Sequence, residues 1–200
     1  MVNVNLASSN LTGNGGSGLS ASLNDLTSSS AAISVTINGL NSSNNGFQTI
    51  GSRYEDGFYF TNEHDTQGQL GPAGTILVEN STSNGDAKYG MVAAFYDANA
   101  ASLKLQNNSI VNANATKTTY DNAAVGVVRG TANPMGNVSV SGLSVQDTKG
   151  YISYYFTVEN YSGTGGEKTI SIGSFGSLSG ATGSTYGILN GTGVNSVSIP

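Results

Sequence analysis

The side chains able to do acid–base or metal chemistry are few, and most of them gather in one stretch. Arg53-Tyr54-Glu55-Asp56-Gly57 is followed closely by Glu63-His64-Asp65, which brings together four of the twelve acids and the one histidine. Carboxylates in oxygen-rich loops suit Ca²⁺, which takes about six to eight oxygen ligands. Asp56, Glu63 and Asp65 are therefore the candidate ligands of a Ca²⁺ ion, and no other cofactor is expected. The spacing works against one shared site. With Phe58–Phe60 as a strand, the two acidic groups lie at opposite ends of it, about 20 Å apart at roughly 3.3 Å per residue.

Catalysis finds little support. A Ser-His-Asp relay would have to use His64, and Asp65 is too near in sequence to orient it. Gly176-Ser177-Leu178-Ser179-Gly180 puts Leu where the nucleophile of an elbow motif belongs. Glycosidase-type carboxylate pairs, about 5–10 Å apart, could be drawn from many acids and so discriminate nothing. Phosphate-cradling glycine motifs are missing. With no cysteine, disulfides, thiol catalysis and thiolate zinc sites are all excluded. The chain reads as non-enzymatic.

Residues 60–70, Phe-Thr-Asn-Glu-His-Asp-Thr-Gln-Gly-Gln-Leu, loosely resemble the haem-ligand loop of secreted bacterial haemophores. That resemblance implies His64 supporting a ligating tyrosine upstream, Tyr54 or Tyr59. It covers about a dozen positions, needs gaps, and the rest of the chain lacks that family's long helical segments.

Charged residues make up 10% of the chain, against about 25% in an ordinary soluble domain. Seven bases are scattered singly and the net charge is −5, so there is no basic stripe for nucleic acid or polybasic patch for a membrane. No apolar run approaches the roughly 20 residues of a membrane span. Met1–Leu6 is too polar for the apolar core of a leader. The expectation is a leader removed beforehand, an export route without one, or no crossing at all.

Elements must then be found to position these groups. Val2, Val4 and Leu6 alternate with polar residues, as do Ile33, Val35 and Ile37, Ile152, Tyr154 and Phe156, and Val197 and Ile199. A period of two with β-branched and aromatic residues predicts half-buried strands. Asn-Gly pairs at 14–15, 45–46, 84–85 and 190–191 supply the positive φ angles of tight turns. No repeat of fixed period is evident. The spacing predicts ten to twelve strands in an all-β, single β-sandwich or jelly-roll-like domain over 19–200. Short helices are expected at Leu19–Leu26 and Ala98–Leu105, and a long polar loop over 61–74. Residues 1–18 read as a strand arm on a Gly-rich linker, 13–18.

Tyrosines cluster at 54–60 and 151–161, as core pairs or as an exposed platform for sugars or a partner. Asn-x-Ser/Thr sequons make glycosylation candidates of Asn10, Asn41, Asn80, Asn107, Asn114, Asn137, Asn160 and Asn190. The functional expectation is a structural subunit of an extracellular filament or cell-surface assembly. It would join its own copies by β-strand addition through Val2, Val4 and Leu6, with Val194, Val197 and Ile199 at the other end. Low charge suits it, because closely packed copies of a highly charged subunit repel one another. The alternatives are a virion decoration or tail protein, and a carbohydrate- or surface-binding module in contact with glycans.

Overall fold

The structure is a computed structural model and is described for residues 2–25, 32–47, 56–64, 73–95, 102–117, 123–129, 138–160, 169–172, 175–183, 186–189 and 196–198. Every regular element among them is a strand. The chain winds in rungs of three. The first rung is β1 (Val2–Ala7), β2 (Asn10–Thr12) and β3 (Leu19–Asp25), and the second is β4 (Ala32–Asn38), β5 (Asn41–Ser43) and β6 (Phe58–His64). The third is β7 (Ala73–Glu79), β8 (Thr82–Asn84) and β9 (Met91–Phe95). The fourth is β10 (Ser102–Gln106), β11 (Ser109–Val111) and β12 (Ala123–Arg129). The fifth is β13 (Val138–Ser141), β14 (Leu143–Gln146) and β15 (Tyr154–Asn160). The sixth is β16 (Thr169–Ile172), β17 (Phe175–Ser179) and β18 (Tyr186–Leu189), and β19 (Ser196–Ser198) opens a seventh.

Each strand pairs with its counterpart one rung away, giving a seven-stranded first sheet and six-stranded second and third sheets. Pairing is parallel throughout the described residues, from β1 on β4 and β4 on β7 in the first sheet to β15 on β18 in the third. This is a parallel β-solenoid, and it overturns the sandwich or jelly roll. Alternation reports that a segment is a strand and which face is apolar, but says nothing about the direction of its neighbour. The Asn and Gly signals likewise mark positive φ, which a solenoid corner needs as much as a hairpin does.

The repeat escaped notice because its length varies. Val2 stacks under Ile33, 31 positions on, Ile33 under Gly74, 41 on, and Thr75 under Ser102, 27 on. The described residues of the two predicted helices are strands as well. Leu19–Asp25 is β3 and Ser102–Gln106 is β10, because parallel pairing to the next rung outweighs weak local helix preference. The 61–74 loop is shortened from both ends by β6, which runs to His64, and β7, which starts at Ala73.

Stacking puts like on like inside. Val4 and Leu6 sit in register with Val35 and Ile37, and these with Ile76 and Val78. In the third sheet Phe58 pairs with Met91, Met91 with Val125, and Val125 with Phe156. All except the first-rung members are buried, in one continuous core. Burying a Phe, Ile or Leu side chain contributes about 1.5–3 kcal/mol, so an unbroken column through the rungs supplies the main cohesion. A second, smaller cluster lies on the outer face of the third sheet. Tyr59, Tyr89, Val92 and Ala123 are buried there with Tyr154 against them, and the Tyr89 ring covers Gly126 so closely that a Cβ would lie 2.8 Å from it.

Candidate functional site

Two corners define the cross-section. At the first, between the first and second sheets, one residue per rung takes a left-handed conformation: Ser8, Gly39, Asn80, Asn107 and Gly142, with φ from 49° to 70°. These stack in one column, as their N–H groups show. Ser8 donates to the Asn38 carbonyl, Gly39 to Glu79, Asn80 to Gln106 and Asn107 to Ser141, at 2.9–3.1 Å. Asn and Gly tolerate this region best. From the second rung on the next residue points inward, and on two rungs its N–H is met by a side chain from the rung above. Leu40 N–H donates to Ser81 Oγ (3.2 Å) and Ser81 N–H to Asn108 Oδ1 (3.0 Å), while Asn108 Nδ2 donates to the Val78 carbonyl (2.9 Å).

The second corner, between the second and third sheets, opens on the same kind of left-handed column, Gly13, Asn44, Gly85 and Asn112 with φ from 49° to 67°, and adds a buried carboxylate behind it. Asn14 N–H donates to Asn45 Oδ1 and Asn45 N–H to Asp86 Oδ1, both at 2.9 Å. Asp86 is fully buried and takes three further donors: Asn45 Nδ2 (2.9 Å), Ser42 Oγ (3.1 Å) and Ser83 Oγ (2.7 Å). Burial pushes its carboxyl up from its ordinary value, and the Ser83, Asn45 and Ser42 bonds pull it back only in part. Ala113 follows Asn112 on the next rung, and there the polar ladder stops. On the fifth rung Asp147 turns to its own loop and accepts N–H from Lys149 (2.9 Å), Tyr151 (2.6 Å) and Ile152 (2.9 Å). A column of Gly18, Gly57 and Gly90 closes the corner. A Cβ at Gly57 would lie 2.5 Å from both the Gly90 carbonyl and Asp86 Oδ2.

The open edge of the first rung is the third feature. β1 pairs residue by residue with β4, from Val2 on Ile33 to Ala7 on Asn38, without a bulge. β1, β2 and β3 are each the outermost strand of their sheet. Val4 is 39% exposed where Val35, one rung in, is 2% exposed. Leu6, Leu11 and Leu19 are only partly covered. Edge strands are normally blunted by charge, Pro or a bulge. Here residues 1–24 hold no charged side chain and no Pro, and residues 169–200 hold no charged side chain either.

The expected site residues fall as follows. Val2, Val4 and Leu6 lie on β1, and Gly13–Gly18 forms the first rung's second corner. Val197 is in β19, whereas Val194 and Ile199 lie outside the described residues. Asp56 is buried and its Oδ1 accepts Tyr89 N–H at 3.1 Å. Glu63 and His64 end β6 on the far side of the third sheet, and Asp65 and Tyr54 lie outside the described residues. Asp56 and Glu63 are thus not brought together. Among the described residues no group of three potential metal ligands converges. Tyr59 and Tyr89 are buried, which removes them from any exposed sugar platform.

Of the sequons, Asn10, Asn41, Asn80 and Asn107 are exposed and all border the first corner. Asn114 is buried and donates through Nδ2 to the Tyr151 carbonyl. Asn160 ends β15, and Asn137 and Asn190 lie outside the described residues. The corner explains part of the excess. A left-handed Asn, an inward residue and an outward Ser or Thr spell Asn80-Ser81-Thr82 and Asn107-Asn108-Ser109. Missed altogether by sequence reading were Asp86, Asn45 and the glycine column, whose partners lie a rung away. No protein-family model matches the chain, and no match is found among curated proteins or solved structures.

Proposed function

We propose that this chain is a structural, non-enzymatic subunit of an extracellular filament or cell-surface assembly, joined to its neighbours by β-strand addition. The observation that carries the reading is the first rung. Its β1 is regular and carries no charge, Pro or bulge, no charged side chain precedes Asp25 at the end of β3, and its core positions are partly uncovered. All charged side chains lie between Asp25 and Lys168, so both end regions are neutral while the middle rungs are not. A neighbour's β19 set beside β1 would continue the columns of Val4 and Leu6 and bond the open backbone edge. Such a head-to-tail contact is heterologous and generates an open fibre.

Negative-stain imaging of the purified protein beside its Val4→Lys variant tests this. An ammonium at this exposed position reaches water in a lone subunit but would be buried under a stacked one. Fibres are expected from the wild type and none from the variant, with melting temperatures within about 3 °C of each other. A wild type that stays monomeric at millimolar concentration, or fibres indifferent to the lysine, would overturn the reading.

A further inference from the structure

Four Asn-Gly pairs lie among the described residues: Asn14-Gly15, Asn38-Gly39, Asn45-Gly46 and Asn84-Gly85. An asparagine before glycine is open to attack on its side-chain Cγ by the next backbone nitrogen, because glycine has no Cβ to crowd the approach. The peptide unit between the two residues must rotate for this, so its N–H and C=O must leave their partners. The fold ties that unit differently in the four pairs.

In three of them both ends are bonded. Gly39 N–H donates to the Glu79 carbonyl and the Asn38 carbonyl accepts Ser8 N–H, both at 3.1 Å. Gly85 N–H donates to the Val111 carbonyl (2.9 Å) and the Asn84 carbonyl accepts Asn44 N–H (3.0 Å). Gly46 N–H donates to the Asn14 carbonyl (3.0 Å) and the Asn45 carbonyl accepts Ala87 N–H (2.9 Å). Two of the side chains are held as well. Asn38 Nδ2 donates to Glu79 Oε1 (2.7 Å). Asn45 is buried, with its Nδ2 engaged by the Leu11 carbonyl, Ser42 Oγ and Asp86 Oδ1.

Asn14 differs on each count. It is exposed, and among the described residues its side chain makes no hydrogen bond. Its carbonyl accepts Gly46 N–H, but Gly15 N–H has no acceptor among the described residues. The rungs supply the reason. At this corner the Gly46 and Ala87 N–H groups each reach back one rung, to the Asn14 and Asn45 carbonyls. Gly15 holds the same place on the first rung, and no described rung lies before it to accept.

We propose that Asn14 is a site of spontaneous modification, where the Gly15 nitrogen displaces ammonia and a carboxylate is left on the first rung. The nitrogen bonds to Asn14 Cγ as the Cγ–Nδ2 bond breaks, and the amide proton departs with the ammonia. Water then opens the cyclic imide at either carbonyl, giving aspartate or isoaspartate with no change of oxidation state. The product is a charged side chain ahead of Asp25, in a region that otherwise holds none. The modification does not depend on the filament reading.

The test follows folded protein in mildly alkaline buffer, kept dilute so that no second copy covers the first rung, beside a sample in concentrated urea. Peptide mapping by mass spectrometry reads conversion at each pair over time. In the folded sample Asn14 should convert at least about fivefold faster than Asn84, whose Gly85 N–H must first give up a backbone hydrogen bond. Asn38 and Asn45 should be slower still. In urea the four should convert at similar rates, because only the shared Asn-Gly sequence then acts. Asn14→Gln should remove the earliest acidic form seen on isoelectric focusing. Equal rates at Asn14 and Asn84 in the folded protein, or Asn84 converting first, would overturn the inference. So would an Asn14 that stays intact in the folded protein while the urea sample converts.

Discussion

The first and second corners begin on the same left-handed turn residue and differ in what is buried behind it. Both must turn the backbone sharply and satisfy N–H groups that leave the sheet ladder. At the first corner the turn is a single left-handed residue, filled by Ser, Gly or Asn without altering its neighbours. The second corner varies in length from rung to rung and is held by Asp86, which gathers donors from Ser42, Asn45 and Ser83 across two rungs. Behind the turn the first corner buries the neutral side chains of Ser81 and Asn108, and the second a carboxylate with its donors. The exposed turn positions of the first should tolerate substitution, and the carboxylate network of the second should not.

The sharpest way to break that contrast is Gly57→Ala. Its added methyl would meet the Gly90 carbonyl and the Asp86 carboxylate at 2.5 Å, with Ser83 Oγ at 2.7 Å. A carbonyl fixed in the ladder cannot give way as a flexible side chain would, so a loss of about 3 kcal/mol or more is expected. Urea unfolding measures it. A variant within about 1 kcal/mol of wild type would mean the second corner is as forgiving as the first.

Removing the acceptor is the next largest step. Asp86→Ala would strand the Asn45 N–H and the Ser83 hydroxyl in the interior, at a cost of about 2–3 kcal/mol. Asp86→Asn isolates the titration. Burial raises the folded carboxyl's pKa above its unfolded value, so the folded state holds the proton to higher pH. Wild-type stability relative to the Asn variant is therefore highest below the unfolded pKa and falls as pH rises through the window up to the folded pKa. A wild-type-minus-variant difference that rises with pH across that window would show that the hydrogen bonds outweigh desolvation.

The same contrast explains what could be read from the chain. Val2–Leu6 and Ile33–Ile37 announced strands because alternation is a local property of each segment. Direction of pairing was hidden, since nothing within Ile33–Ile37 reports that β1 and β7 run the same way beside it. The rung repeat was masked by loop insertion, which falls at the second and third corners while the first keeps a constant spacing. At the second corner Asp86 looked like one more surface acid after an Asn-Gly pair. Its partners Ser42 and Asn45 are 44 and 41 positions away, and only the register of the rungs joins them. The Asn-Gly punctuation at 14–15, 45–46 and 84–85 falls at the second corner, where Gly46 and Gly85 take positive φ, but it was indistinguishable from that of a hairpin.

The smallest expected effect lies at Asn80, where the first corner's tolerance can be measured directly. Its φ of 51° suits Gly better than any other residue. Asn80→Gly should thus fall within about 0.5 kcal/mol of wild type, conformational relief offset by the lost Nδ2 bond to Asn38 Oδ1 at an exposed 3.2 Å. Asn80→Ala keeps the backbone where a Cβ is disfavoured and should cost about 1 kcal/mol, and Asn80→Val somewhat more, within the roughly 1–2 kcal/mol range for left-handed non-glycine residues. A graded series in the order Gly, Ala, Val, read by thermal melts, would show that backbone conformation alone sets this corner. Equal losses for all three would instead point to the Asn38–Asn80 side-chain bond, and the first corner would then resemble the second in depending on contacts between rungs.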